Sequence, residues 1–110
     1  MVKAMFEIGS TGFAKLLDAV PIVQGAVVSK PLLNTDACKM VVFAMDEGQS
    51  IHEHHAPYVA TLHVLDGRLD FSVLGKKYEM VANDWLVMPL DAKHDLTAMA
   101  PTRFLLTLLR

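Results

Sequence analysis

Imidazole is the side chain of this sequence best suited to chemistry. Three of the five histidines, His52, His54 and His55, fall within four consecutive positions of the stretch SIHEHHAP. Strand-type alternation across residues 51–55 puts His52 and His54 on one face and Glu53 and His55 on the other. Further on, His94 shares a face with Leu96 and Ala98, opposite Lys93, Asp95 and Thr97. An imidazole on an apolar face needs a partner, because burying it unpaired is costly; a lone one is usually bonded to a backbone carbonyl. Three converging from neighbouring strands have a second use. As neutral nitrogen ligands they bind a first-row divalent metal (iron, nickel, zinc, manganese or copper) and leave coordination positions open for water, substrate or dioxygen.

The remaining reactive types read more plainly. His52-Glu53 begins like the zinc-protease signature H-E-x-x-H, but Ala56 stands where its second histidine belongs. Pro57 then forbids the helix that signature needs. His55 and Glu53 alternate outward and are read as solvated. His63 shares a face with Thr61 and Leu65 and is read as outward or at a subunit contact. Tyr78 lies with Met80 on the apolar side of its run and is read as core. Cys38, the single cysteine, leads into an apolar run and behaves there as a small hydrophobe. The seven methionines show no ligand spacing and are read as core filling.

The elements that must position the histidines are strands. Short β-type runs cover 26–33, 38–45, 51–55, 59–65, 69–74, 77–81, 85–90, 94–99 and 103–109, separated by turn residues, the pattern of a sandwich or barrel. Asp66-Gly67 is the strongest hairpin signal, since a type I′ turn needs positive φ at both central residues. Leu69, Phe71 and Val73 alternate against Arg68, Asp70 and Ser72, so that strand has a wet face. Residues 85–90 and 104–109 are apolar nearly throughout, which suggests strands covered on both faces and a homodimer. The one helical signal is a short run through Phe13, Leu16 and Leu17, with Ser10 as its cap and Val20-Pro21 as its stop.

Bulk composition sets outer limits. The chain has 110 residues, 53% of them hydrophobic and 20% charged, which fits one globular domain spanning 1–110. Its mean hydropathy of +0.35 is high for a small soluble domain and again points to a second copy as cover. A net charge of −2 supplies no basic field for nucleic acid and no polybasic membrane patch. The first residues lack the apolar run of a secretory signal, and no window is long enough to span a bilayer, so a cytoplasmic protein is expected.

Taken together, these residues resemble the cupin superfamily of small double-stranded β-helix barrels, a jelly-roll architecture. The family's first motif is G-(X)5-H-X-H-(X)3,4-E-(X)6-G; here His52-Glu53-His54 supplies H-X-H, and the run from Leu62 to Gly67 looks like its closing strand and glycine. The second motif is G-(X)5-P-X-G-(X)2-H-(X)3-N, and the segment from Asn83 through Pro89 to His94 reproduces its proline-to-histidine spacing. The resemblance covers residues 26–109 and implies an all-β cupin barrel, preceded by the short N-terminal helix, with a metal pocket inside. His52 and His54 match the first two ligands and His94 the third; some cupin thiol dioxygenases likewise use three histidines.

The departures are specific. The family's glutamate falls at Tyr58 or Val59 counted from His54, or at Ala60 counted back from Gly67, and none of these is a carboxylate. Gly48 lies two residues closer to His52 than the pattern places its glycine. Asn83 and Asp91 replace glycines, both types that tolerate left-handed backbone, and Ala98 replaces the final asparagine. Tyr58 can bring a phenol to the pocket mouth near the vacant carboxylate position, as a substrate-binding group.

Three functions compete on this reading. One is a metal-dependent dioxygenase or isomerase acting on a small molecule, with no general base in evidence. Another is a binding or sensor domain that takes a small ligand in the barrel without metal. The last is an assembly role through the apolar C-terminal strand.

Overall fold

The computed structural model describes residues 3–110. Nine strands follow one helical turn, α1 (Leu16–Ala19): β1 (Val27–Asn34), β2 (Cys38–Met45), β3 (Ser50–His54), β4 (Val59–Asp66), β5 (Arg68–Val73), β6 (Lys76–Val81), β7 (Trp85–Met88), β8 (His94–Ala98) and β9 (Thr102–Leu109). They form two antiparallel sheets, one ordered β1-β2-β9-β4-β7 and the other β3-β8-β5-β6. Alternation decides which side chains meet between them. Leu62 and Val64 of β4 and Phe104 of β9 face Leu69 and Phe71 of β5 and Leu96 and Ala98 of β8, all essentially buried. Each large apolar side chain so buried contributes roughly 1.5–3 kcal/mol relative to exposure. The period-two reading of β5 therefore holds: Leu69, Phe71 and Val73 are core.

The sheet strands β2 and β9 are covered on their outer side too, by the chain itself. Val42 and Ala44 of β2 lie with Val20 and Leu32 in a second buried cluster, and Met5, Phe6, Leu16, Ile22 and Leu105 pack against it. The N–H groups of Met5 and Phe6 donate to the carbonyls of Pro31 and Leu32 at 2.9 Å, which fastens this N-terminal segment alongside β1. Leu105 on the outer face of β9 thus has a cover within one protomer, while Leu109 at its end stays exposed. β7 differs. As a sheet edge it turns Met88 inward, while Trp85 and Val87 remain 60% and 50% exposed.

Three local expectations are corrected. Ser10 does not cap a helix: only one turn forms, after an extended Lys15 with no side-chain cap, and Phe13 stays exposed. Thr11 and Gly12 are poor helix formers, and one turn has too few bonds to repay its nucleation. Tyr78 is exposed rather than core, because β6 is the edge of its sheet and only Met80 reaches the interior.

Asp66-Gly67 is not a hairpin turn, since β4 and β5 belong to different sheets. Gly67 (φ 90°) turns a corner so tight that a Cβ there would lie 2.3 Å from the Pro101 carbonyl oxygen. The Asp66 carboxylate is used across the corner, accepting from the Arg103 backbone N–H at 2.8 Å and its guanidinium at 3.0 Å. The left-handed hairpin pair is instead Leu74 (φ 51°) and Gly75 (φ 81°), between the paired residues Val73 and Lys76.

Candidate functional site

β3 and β8 lie side by side and bring two histidines together at one end of the barrel. His54, the last residue of β3, stands opposite His94, the first of β8. Their ring centroids are 4.0 Å apart at 60°, and Phe71 of β5 stacks on His94 at 5.7 Å and 9°. Each Nδ1 is anchored to the carbonyl two residues back in the chain: His54 to His52 and His94 to Ala92, both at 3.0 Å. A carbonyl accepts only, so each Nδ1 carries a proton, and in the neutral ring Nε2 is the nitrogen with the lone pair. His94 is 8% exposed. Burial holds its pKa below the usual value, and the neighbouring imidazoles of His54 and His55 act the same way, against opposing effects of the Ala92 carbonyl and Asp95.

His52 takes no part in this pair. Two residues of β3, His52 and Glu53, fall where β8 offers one, because the register shifts between the pairs Ile51–Leu96 and His54–His94. Such a bulge resets the alternation. Ile51 and His54 both line the compartment between the sheets, His54 at its open end, and His52 lines a shallow outer groove with Ser50, Glu53, Asp95 and Thr97. The expectation that His52 and His54 share a face is therefore corrected.

The pocket beside the pair shows the true inner face of this segment. His54, Ala56, Tyr58 and Ala60 line it at every second position, facing His94, Met88, Pro89, Ala92, Leu106 and Leu108 around a cavity of about 120 Å³. A deeper apolar compartment shares His54, Met88, His94 and Leu106 and continues to Phe43, Leu62, Phe71 and Phe104. At the rim, His55 Nδ1 meets the Asp91 carboxylate, and the Asp91 N–H donates to the Ala56 carbonyl at 3.0 Å, joining the two flanking loops. Tyr58 lines the pocket under the Arg110 guanidinium, 5.9 Å from its ring centroid. That guanidinium is spent on Asn34 and the Thr35 carbonyl, both at 2.8 Å.

The inner face also reassigns the first motif. Five residues separate Gly48 from His54, three separate Ala56 from Ala60, and six separate Ala60 from Gly67. Every spacing of the pattern is met when His54 is its first histidine, and the second histidine and the glutamate become Ala56 and Ala60. The two-residue discrepancy at Gly48 was the sequence signal for this frame. Two imidazole nitrogens do not make the three-ligand set of a metal centre. Among the described residues no group of three or more His, Cys, Asp or Glu side chains is placed to hold a metal ion. The donor set does not fit a resident three-histidine metal.

Known structures place the fold. The chain matches a conserved protein of unknown function from Streptococcus pyogenes at 25% identity and a TM-score of 0.86, over 99% of this chain and 96% of that one. It matches a cupin superfamily protein from Desulfitobacterium hafniense at 17% identity and a TM-score of 0.83, over 99% and 97%. The chain has a cupin fold. A cupin 2 conserved barrel domain protein from Leptotrichia buccalis aligns at 28% identity and a TM-score of 0.81, over 86% of this chain but 46% of that one. No family model and no curated protein sequence matches it. The second motif survives in the barrel with substitutions the backbone accepts. Asn83 (φ 73°) and Asp91 (φ 60°) are left-handed at the two positions where the pattern has glycine, in keeping with their residue types.

Proposed function

We propose that this cupin barrel binds a small organic molecule in the His54–His94 pocket and does so without a resident metal. The observation that carries this reading is the inner-face series His54, Ala56, Tyr58, Ala60. It puts methyl groups at two of the positions where the family pattern carries ligands and leaves an apolar space beside two imidazoles. Such a space, concave, largely apolar and equipped with a few convergent polar groups, is the usual form of a small-molecule site. Tyr58 lines the same space, beneath the Arg110 guanidinium.

Thermal-shift screening of the chelator-treated protein against neutral aromatic and alicyclic fragments tests the proposal. Fragments that stabilise the stripped protein, and stabilise it equally after one equivalent of iron, nickel or zinc is added, support it. Stabilisation that vanishes on stripping and returns only with one equivalent of metal would overturn it.

A further inference from the structure

Resting on the binding reading above, we infer that the pocket selects uncharged, ring-sized molecules that carry a hydroxyl or N–H donor. Its polar equipment sets that selection. The two rings that line it have their Nδ1 protons committed to the carbonyls of His52 and Ala92. What they offer a guest is a pair of Nε2 lone pairs, and a lone pair recognises a donor. A guest with only acceptors, such as an ether or ketone, displaces water from these nitrogens without replacing its hydrogen bonds, which is costly.

Charge is excluded by what the lining lacks. No lysine, arginine, aspartate or glutamate lines the space next to the pair or the deeper compartment. The guanidinium over the Tyr58 ring, that of Arg110, is held by Asn34 and Thr35. A carboxylate or phosphate entering here would lose its hydration with no cation to meet it, and an ammonium would meet no carboxylate. Shape narrows the class further. The rings of His54, His94, Phe71 and Phe104 line the deeper compartment, and Phe71 already stacks on His94 with ring planes 9° apart. Planar rings pack against such faces in offset or edge-on contact.

Phenol, anisole and benzoate are matched probes: one donor, the same ring with an acceptor only, and the same ring with a charge. Dissociation constants are measured by backbone amide NMR titration of the chelator-treated protein, following Ala56, Tyr58 and Ala60. Phenol is expected to bind about fivefold to tenfold more tightly than anisole, the worth of one net hydrogen bond, and benzoate more weakly than either. His54→Leu removes one of the two acceptors from the lining and should reduce the phenol-over-anisole ratio. His52→Leu, outside the pocket, should leave the ratio as in the wild type. Anisole or benzoate binding as well as phenol, or His54→Leu leaving the ratio unchanged, would overturn the donor selection while the binding reading stands. If no probe perturbs the pocket amides at any concentration, both fall together.

Discussion

The two halves of the pocket have kept opposite parts of one pattern. The β3–β4 half retains its glycines, Gly48 and Gly67, both at positive φ, but two of its three ligand positions are alanine. The β7–β8 half retains its ligand, His94, and its proline, Pro89, while both glycines have become other residues. Backbone and chemistry are therefore separable here. Where no side chain is needed beyond a backbone angle, Asn83 and Asp91 serve. Where the corner leaves no space for a Cβ, only glycine does.

The largest effect expected from that contrast lies at Gly67. Gly67→Ala would drive a Cβ to 2.3 Å from Pro101 O and 2.5 Å from Thr102 Oγ1, on backbone and on a fully buried threonine. A loss of about 4 kcal/mol or more in denaturant unfolding is expected. Gly48→Ala meets nothing within 4 Å and should cost only about 1–2 kcal/mol of left-handed strain. Equal costs at the two sites would erase the distinction between a tight corner and a mere backbone angle.

Next comes the missing chemistry. Ala56→His places a third imidazole on the inner face with His54 and His94, so the variant should retain about one equivalent of zinc or nickel through gel filtration, measured by elemental analysis. A second exchange at Ala60→Glu should tighten retention further. If neither variant takes up metal, the reassignment of the motif to His54 fails.

A smaller effect concerns acid. His94 has a folded-state pKa below its usual 6.5 because burial disfavours the imidazolium. The unfolded chain then binds the proton more readily, so stability is full above about pH 6.5 and is lost as pH falls through the lowered value. Denaturant midpoints at pH 8, 6.5 and 5 should show a decline that His94→Phe diminishes. An identical acid decline in that variant would remove His94 as its source.

The smallest change belongs to the substituted turns. Asn83→Gly should alter stability by no more than about 1 kcal/mol, since relief of left-handed strain offsets the added freedom of the unfolded chain.

Much of this molecule is written in alternation, and β5, β4 and β8 obey it residue by residue. The segment around the histidines is where alternation misleads. A bulge inserts one residue into β3 without any glycine or proline to announce it, and it exchanges the faces of the residues before His54 relative to those after it. Only a count anchored at both glycines, Gly48 and Gly67, reveals the frame. The Asp66-Gly67 corner misleads for a related reason: aspartate–glycine signals positive φ at the glycine, but whether the next strand pairs back or crosses to the other sheet is decided by Arg103 and Thr102, far along the chain. Cover for the outer face of β2 was likewise hidden, since the short helical signal at Leu16 and Leu17 does not say which strand it packs on. Pocket-lining alanines carry no chemical signal at all.

The central claim is that His54 and His94, without His52, form the working pair of a metal-free pocket. Elemental analysis of the purified wild type, run beside His52→Ala, His54→Ala and His94→Ala with phenol binding measured on each, tests it most directly. Substoichiometric metal in all four, wild-type phenol affinity in His52→Ala, and weakened affinity in His54→Ala and His94→Ala are the predicted results. One full equivalent of metal in the wild type, lost in His52→Ala as completely as in His94→Ala, would contradict it.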